Sequence, residues 1–471
     1  MTVIRTGNEK LSVKTFYAVI LPGLAISWLA GCTVTAISPE INALEIPDNW
    51  QKPAQSGRVQ EDWLTDFADD ELNVLVSRAM EKNYLLAEQM ARIDEARQAL
   101  IITSSDKYPE LSLAFDASRR KSIIDETTES IAENYELGLD LFWEVDIWGK
   151  LDDAEKQSRL SLHALEARLQ DTRLQLAADV ASAWYDAIAA RQLLSLFRDE
   201  RLNNLVQELD IIDRGYQQGL NSALDVYLAR VTLAQERARV AQQEQLLSEA
   251  VVSLQLLLQD YPDSRLPVAD ELPLIETAIP AGLPSELITR RPDLQQAWLE
   301  LLAEDAGLAV AHKQRFPRLS LVAAAGDVSK DLENLLDGSA LAWSLLGNLV
   351  QPLFNAGELR AAEEQARARV VQAEKRYLDQ MFRAFAEVEN AISRDVSLQQ
   401  RYQATLAQEE NATAALTLAF EQYQSGLVTY ITVLESQRRA FDAEFSVIDL
   451  QNQLLQNRIV LHQALGGEYS L

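Results

Sequence analysis

One short segment occurs twice in the chain and constrains the fold more than any other feature. Tyr216-Gln217-Gln218-Gly219-Leu220 returns as Tyr423-Gln424-Ser425-Gly426-Leu427 at an offset of 207 residues. Each copy lies between two long runs that contain neither glycine nor proline, so each is predicted to be the turn of a long helical hairpin. A duplication on this scale in a chain of 471 residues predicts two similar halves of one body.

The N-terminal segment is predicted to be a targeting signal rather than part of the fold. Residues 1–31 combine a basic leader with an apolar stretch that is too short and too interrupted to span a membrane as a helix. The stretch ends at Leu29-Ala30-Gly31-Cys32, which resembles the lipobox of bacterial lipoproteins, where the cysteine is acylated after cleavage. A secretory signal with a chance cysteine is the alternative. Thr33 is not the aspartate that retains such lipoproteins in the inner membrane, which predicts sorting to the outer membrane.

The chain is strongly acidic, with a formal net charge of −28 at pH 7. Nucleic acid is therefore not an expected partner, because its phosphates require a basic surface. His163, His312 and His462 lie far apart on helical runs, no glycine-rich phosphate loop is present, and Cys32 is the only cysteine. The sequence therefore predicts no enzyme, no metal site and no cofactor beyond the covalent lipid on Cys32.

Two segments of the first half alternate apolar and polar residues with the period of a β-strand. One begins after Pro109, and the other runs from Tyr135 to Val145, with an apolar face opposite an acidic one. Eleven residues with aromatic side chains near both ends of the apolar face match a strand that crosses an outer membrane. A hairpin half-buried in a soluble sheet is the alternative. A polar loop is predicted between the two strands, from Arg119 to Asn134.

The second half repeats this pattern at an offset of 208 residues. Phe316-Pro317-Arg318-Leu319-Ser320-Leu321 matches Tyr108-Pro109-Glu110-Leu111-Ser112-Leu113, and the alternation from Trp343 to Leu349 matches that from Tyr135 to Leu141. Four strands cannot close a barrel, because about eight is the smallest number. Two or three chains are therefore expected to pool their strands.

Very long helices are predicted after both hairpins. Residues 150–214 and 358–425 contain neither glycine nor proline, and a continuous helix of roughly 60 residues would reach about 90 Å. Shorter runs, 220–261 and 427–465, return from the repeated turns. Apolar residues recur at mixed spacings of three and four, which predicts helices packed side by side along a seam. One further helix is predicted to fill most of residues 58–108.

These elements together resemble the outer-membrane efflux protein family, the TolC and OprM type of channel, in its lipoprotein subgroup. The most specific residues are Arg290-Arg291-Pro292-Asp293-Leu294, the strand start at Phe316, Trp148-Gly149-Lys150 and the two Tyr-x-x-Gly-Leu turns. The chain departs from the family at Ala297-Trp298-Leu299-Glu300, where an Ala-Glu pair is usual. The resemblance covers essentially all of the chain after Cys32.

The resemblance implies an α + β membrane protein, a homotrimer in which each chain gives four strands to one outer-membrane β-barrel and a long α-helical barrel continues into the periplasm. It implies a passive exit channel for drugs or other small molecules, served by a periplasmic adaptor and an inner-membrane exporter of the RND type. The expected divisions are a signal peptide (1–31), a lipid-anchored tether (32–60), a first repeat (61–261), a linker (262–284) and a second repeat (285–471).

The resemblance also assigns roles to the two turns. Gly219 and Gly426 are expected to permit tight turns with positive φ and a small profile. Leu220 and Leu427 are expected to provide apolar contacts for the adaptor. Six such turns would surround the periplasmic mouth of a trimer.

Gate residues are expected just beyond the turns. Asp225 stands where the family has an aspartate that bonds a tyrosine of the facing hairpin, and Tyr423 stands at that tyrosine. A hydrogen bond to a charged group is worth about 1.5–3 kcal/mol. The second copy has Thr432 in place of an aspartate and keeps a carboxylate at Glu435, one turn further on. Capping of the new helix is the alternative role for Asp225.

Two other functions are compatible with parts of the sequence. A periplasmic coiled-coil scaffold lipoprotein that does not span the membrane would share the long helices and the anchor. It would have no reason to keep the duplicated alternation at Tyr135 and Trp343. An outer-membrane channel for type I protein secretion would have the same fold, and the sequence does not distinguish its cargo from small molecules.

Overall fold

The described part of the chain covers most of both predicted repeats. The structure, a computed structural model, describes residues 47–51, 63–123, 129–274, 280–282, 284–335, 337 and 341–467. The predicted signal peptide, Cys32 and most of the predicted tether lie outside these residues.

The chain passes twice through the same order of elements. The first half contains a 3₁₀ turn (Trp63–Phe67), α1 (Asp70–Lys82), α2 (Tyr84–Ser105), β1 (Glu110–Ile123), β2 (Glu129–Val145), α3 (Lys150–Ser195), a π-helical turn (Leu196–Leu202), α4 (Asn203–Gln217) and α5 (Ala223–Leu257). The second half contains α6 (Pro284–Arg290), α7 (Pro292–Lys313), β3 (Arg318–Ser329), a 3₁₀ turn (Leu332–Asn334), β4 (Ala342–Val350), α8 (Glu358–Gln424) and α9 (Tyr430–Ala464). The internal duplication predicted from the sequence is therefore confirmed.

The helices that lead to the repeated turns are the longest elements. α8 has 67 residues, and the run of α3, the π-helical turn and α4 has a similar length, so each reaches about 100 Å. The predicted long helices are confirmed, except that the first is interrupted by the π-helical turn. No helix in the described ranges combines the length and the apolar character needed to cross a membrane.

The single helix predicted over most of residues 58–108 is instead two helices. Asn83 ends α1 with extended backbone angles (φ −66°, ψ 122°) and also caps α2. Its side-chain oxygen accepts hydrogen bonds from the amides of Leu85 (2.9 Å) and Leu86 (3.2 Å). Because this N-cap satisfies two amides at the start of α2, the chain bends there without glycine or proline.

The four strands form one antiparallel sheet in the order β1-β2-β3-β4. Directly opposed residues share a face, and one apolar row across the sheet consists of Leu113, Leu139, Ala325 and Trp343. The adjacent row on the other face consists of Ser112, Asp140, Ala324 and Ser344. The sheet therefore has one largely apolar side, as predicted, and a second side that mixes small and polar residues with Phe142, Val322 and Leu346.

The prediction of a polar loop from Arg119 to Asn134 is wrong, because both strands continue into this segment. β1 extends to Ile123, and β2 begins at Glu129. Arg119 and Glu133 are directly opposed in the register, with 3.2 Å between Nε and Oε1. Cross-strand charge pairs of this kind stabilise strands that lack apolar residues.

A large core holds the long helices side by side between the sheet and the turns. Trp63, Phe67 and Tyr185 are buried there, and the ring of His462 stacks on that of Trp63 with 5.6 Å between centroids. Asp66 approaches His462 Nε2 to 2.9 Å. This core fixes α3 against α9, so the two helical hairpins leave it in the same direction.

Candidate functional site

The two repeated turns have the same backbone geometry. Gly219 (φ 76°) and Gly426 (φ 72°) lie two residues beyond the ends of α4 and α8. In the first turn, the amide of Gly219 donates to the carbonyl of Tyr216 (3.0 Å), and the amide of Leu220 donates to that of Gly215 (2.8 Å). The second turn has the equivalent two bonds, each 2.9 Å long. Both turns are Schellman motifs, which satisfy the last carbonyls of a helix.

The turns protrude from the end of the molecule. Leu220 is 77 % exposed and Leu427 is 75 % exposed. A Cβ placed on Gly219 or Gly426 would meet no atom within 4 Å, so glycine is required by the positive φ and not by crowding. The four residues singled out in the sequence therefore lie together about 100 Å along the helices from the sheet.

An apolar cluster joins the two hairpins directly behind their turns. Ile212 and Val226 of the first hairpin pack with Tyr430 and Val433 of the second, and all four are buried. The ring of Tyr423 packs against this cluster, with 5.6 Å between its centroid and that of Tyr430. The turns of the two copies are therefore one packed unit.

The hydrogen bond predicted between Asp225 and Tyr423 is not formed in this structure. The hydroxyl of Tyr423 instead donates to Oδ1 of Asn221 at 3.0 Å. The carboxylate of Asp225 accepts from the amide (3.0 Å) and the hydroxyl (2.8 Å) of Ser222, whose Oγ accepts in turn from the amide of Asp225 (3.2 Å). This reciprocal pattern is a capping box at the start of α5. Asp225 therefore has the capping role that the sequence left as the alternative.

The phenol of Tyr423 is held in its protonated form. Its pKa is raised by burial and, to a smaller extent, by the nearby carboxylates of Asp225 and Glu208. A protonated phenol remains a hydrogen-bond donor, so the contact with Asn221 persists at neutral pH.

Glu435, the other predicted gate residue, makes its described contacts within α9. Its carboxylate accepts hydrogen bonds from Arg438 (2.8 Å) and Arg439 (2.9 Å). These guanidinium groups hold the pKa of Glu435 below its usual range. The side chain therefore belongs to a charged surface of the second hairpin.

A buried polar contact between the hairpins was missed in the sequence. Glu208 on α4 is 5 % exposed and accepts a hydrogen bond from Nε2 of Gln437 on α9 at 2.5 Å. Burial raises the pKa of Glu208, and burial together with this carboxylate raises the pKa of Tyr430. The available signal was the position of Glu208 between Leu205 and Ile212, at the three and four spacing of the apolar seam.

Both halves of the chain match one protein family. Residues 75–259 and 283–467 each match the sequence model of the outer membrane efflux protein family. The chain belongs to this family. It is therefore an outer-membrane efflux channel, which confirms the family and the localisation predicted from the sequence.

Similar channels of the family align along nearly the whole chain. This efflux protein is 29 % identical over 463 residues to the pyoverdine export outer membrane protein OpmQ of Pseudomonas putida, covering 95 % of this chain and 96 % of OpmQ. It is 28 % identical over 466 residues to the cation efflux system protein CusC of Escherichia coli O157:H7, covering 95 % and 98 %. The solved structure of the outer-membrane channel OprN matches with a TM-score of 0.85 at 27 % identity, covering 93 % of this chain and 99 % of that chain. The predicted fold is confirmed.

The acidic residues and histidines of the described part of this efflux protein do not form a metal-binding cluster. Within those residues, no three His, Cys, Asp or Glu side chains are grouped so as to hold a metal ion. His312 lies 3.1 Å from Glu363, and His462 is engaged with Asp66, so these two histidines have separate structural contacts.

Proposed function

We propose that this efflux protein is the passive exit duct of a tripartite system. Drugs or other small molecules would pass through it from a periplasmic adaptor and an inner-membrane exporter of the RND type to the exterior. The observation that supports this is the layout of one chain, with an antiparallel sheet at one end of the helices and exposed hairpin turns at the other. A ring of such chains would line one path about 100 Å long beyond the sheet.

The ring is proposed to contain three chains. In the described chain, β1 and β4 are the edge strands of the sheet, and a strand in lipid must have its backbone groups paired on both sides. Two chains would supply eight strands, and the interior of an eight-stranded barrel is filled by side chains. Three chains of four strands are the smallest ring that leaves an open passage, which agrees with the trimer implied by the resemblance.

Cys32 is proposed to carry the covalent lipid, on the strength of the lipobox in the sequence. The anchor would tether the N-terminus to the membrane that contains the sheet. The chain divisions 1–31, 32–60, 61–261, 262–284 and 285–471 are retained as a proposal.

The repeated turns are proposed to form the periplasmic mouth and to bind the adaptor. Gly219 and Gly426 give each turn a narrow profile, and Leu220 and Leu427 offer exposed apolar side chains beside them. Burial of apolar surface of this kind is the usual driving force of protein association.

The gate is proposed to use the residues that join or brace the two hairpins at this mouth. Tyr423 would hold the first hairpin through Asn221, and Asp225 would fix the start of α5 beside that contact. Glu435 would contribute through the charged surface that it forms with Arg438.

Two neighbouring residues of β4 provide a matched test of the proposed function. Leu345 lies on the apolar face of the sheet, and Ser344 lies on the other face. If the apolar face meets lipid, Leu345→Lys disfavours insertion by about 2–4 kcal/mol near the middle of the bilayer. We expect it to remove the trimer from the outer-membrane fraction, whereas Ser344→Lys inserts and alters only the ion selectivity of purified channels in planar bilayers.

Equal tolerance of the two lysines would contradict the proposal. It would favour the scaffold lipoprotein that does not span the membrane. Wild-type protein that assembles but gives no discrete conductance steps would contradict the open duct.

A further inference from the structure

The two copies of the helical hairpin differ in length by one residue. Gly149 and Gly357, which precede the long helices, are 208 residues apart, whereas the turn glycines Gly219 and Gly426 are 207 apart. The first copy therefore has one additional residue between its sheet and its turn. The π-helical turn Leu196–Leu202 lies in this interval, and α8 crosses the equivalent interval as uninterrupted α-helix.

The π-helical turn is where the additional residue is accommodated. One inserted residue would rotate the rest of an α-helix by about 100° and turn its apolar face away from its neighbours. A π-helical turn absorbs an extra residue locally. Leu194 before the turn and Leu205 and Ile212 after it are all buried, so the helix keeps its packed face on both sides.

The widened turn places Arg201 between three helices. Arg201 is 5 % exposed, and one guanidinium nitrogen lies 3.3 Å from Oε2 of Glu236 on α5. The same guanidinium lies 3.7 Å from the ring centroid of Phe441 on α9, in the second hairpin. A desolvated cation is attracted by the face of an aromatic ring. Arg201 therefore contacts both hairpins at once.

The second copy has no equivalent of this arrangement. Arg201 corresponds to Glu409 with the offset of 208 that holds before the insertion, and to Gln408 with the offset of 207 that holds after it. Glu236 corresponds to Ala443. The ion pair is therefore not a requirement of the hairpin fold itself. It is a property of the first copy alone.

The surroundings of Arg201 leave room for movement. A cleft of about 290 Å³ lies between α5 and α9, lined by Arg201, Glu236, Gln235, Gln437 and Phe441 among others. Among the described residues, Arg201 Nε and Glu236 Oε1 have no hydrogen-bond partner. Burial lowers the pKa of Arg201 to about 10 and raises that of Glu236, yet an arginine with this pKa is still charged at neutral pH. The hairpins meet at this level through one desolvated cation beside a cleft and through the rings of Phe197 and Phe445, whose centroids are 6.4 Å apart.

We infer that Arg201 is a positioning residue that clamps the first hairpin to α9 and thereby limits how far the two turns separate. It is carried by the π-helical turn that accommodates the one-residue insertion. Arg201 lies about 27 Å along the helix from Gly219, so a small rotation at the clamp becomes a larger displacement at the mouth. This inference rests on the proposed function, in which the turns form the mouth of the duct.

Purified full-length protein in planar bilayers provides the test, with the ratio of open to closed time as the measurement. Phe441→Leu removes the aromatic face that α9 presents to Arg201, leaves the ring of Phe197 in the π-helical turn (4.9 Å from the guanidinium), and keeps the pair of Arg201 and Glu236. No buried charge therefore loses its partner. We expect the ratio to rise about tenfold, which is about 1.4 kcal/mol. Phe441→Tyr keeps the ring and is expected to behave like the wild type. Arg201→Lys keeps the charge without the planar guanidinium and is expected to give an intermediate ratio.

Arg239→Met is the matched control. The guanidinium of Arg239 also approaches Glu236, at 3.8 Å, but it lies on the same helix and is half exposed. An unchanged ratio is expected because this side chain does not link the hairpins.

If the wild-type protein gives discrete conductance steps, three results would overturn the clamp. They are an unchanged ratio in Phe441→Leu, an equal rise in Phe441→Tyr, and an equal rise in Arg239→Met. Wild-type protein without conductance steps would instead refute the proposed duct, and the clamp with it.

Discussion

The hydroxyl of Tyr423 offers the most direct test of the proposed gate at the turns. Tyr423→Phe removes one oxygen, which donates to Oδ1 of Asn221 at 3.0 Å, and leaves the ring in place against Tyr430. The lost hydrogen bond joins two neutral groups, so it is worth about 0.5–1.5 kcal/mol. This is less than the charged bond to Asp225 that the resemblance implied.

Three copies of this bond would act on one mouth if the chains of a trimer open together. They would then stabilise the closed state by about 1.5–4.5 kcal/mol, or roughly tenfold to a thousandfold in the closed-to-open equilibrium. We expect Tyr423→Phe to raise the mean single-channel conductance in planar bilayers accordingly. Because burial raises the pKa of Tyr423, the difference from wild type should be the same from about pH 6 to pH 9.

Asp225→Ala separates this contact from the cap of α5. Loss of the capping box is expected to lower the free energy of unfolding by about 1 kcal/mol, and to leave the effect of Tyr423→Phe unchanged in the double variant. Wild-type conductance of Tyr423→Phe would refute the role of the Asn221 contact. If its effect disappears in the Asp225→Ala background, the two side chains are directly coupled and the bond implied by the resemblance operates in the assembled channel.

Four further outcomes are expected. Cys32→Ser abolishes labelling by a radioactive fatty acid, and persistent labelling would refute the anchor. Gly219→Ala destabilises the protein by about 1–2 kcal/mol in thermal unfolding, since alanine must adopt φ near 76°. Gly219→Asn destabilises it less, because asparagine tolerates this conformation better, and equal losses of stability in the two variants would contradict this reason. Burial and two neighbouring carboxylates raise the pKa of Glu444 from 4.5 to about 7. Ionisation above that pKa opposes folding, so Glu444 alone lowers stability by on the order of 1–3 kcal/mol from about pH 4.5 to pH 8. Glu444→Gln is expected to lose less stability than the wild type over this range, and a parallel fall would exclude this carboxyl. Leu220→Ser weakens binding of the purified adaptor. Leu246→Ser, which changes an exposed leucine of α5 far from the turn, does not. Equal losses of adaptor affinity in the two variants would show that the turn is not part of the docking site.

Periodicity and the absence of glycine and proline made the long helices and the strand starts predictable. The prediction failed where polar side chains stabilise regular structure. Arg119 and Glu133 are paired strand residues, although their polarity is typical of a loop. Asn83 divides a predicted helix because its side chain caps the next one, and hydrophobic periodicity does not report such a cap.

The candidate site was predictable in its residues but not in its bonds. Gly219 and Gly426 were identified because the repeat brings the same turn twice, and both have the positive φ expected of them. The resemblance to the family identifies Tyr423 by its residue type and position. It does not determine which side chain accepts the hydrogen bond of Tyr423. In the structure its partner is Asn221, and the carboxylate of Asp225 is engaged in the capping box instead.

The positions of the contacts between the hairpins indicate an order of opening. Several polar contacts between the copies, such as Gln456 with Ser182, lie nearer the sheet. From the turn upward, the first three are Tyr423 with Asn221, Gln437 with Glu208, and Phe441 with Arg201. The first joins neutral groups at the mouth, whereas the other two involve buried ionisable groups that are costly to leave without a partner. If the mouth opens as proposed, the turns would separate first while the upper contacts hold, and the level of Arg201 would be the pivot. The difference in strength between the lower and the upper contacts comes from divergence of the two copies. Asn221 corresponds to Val428 and Glu236 to Ala443, and neither equivalent has a polar side chain.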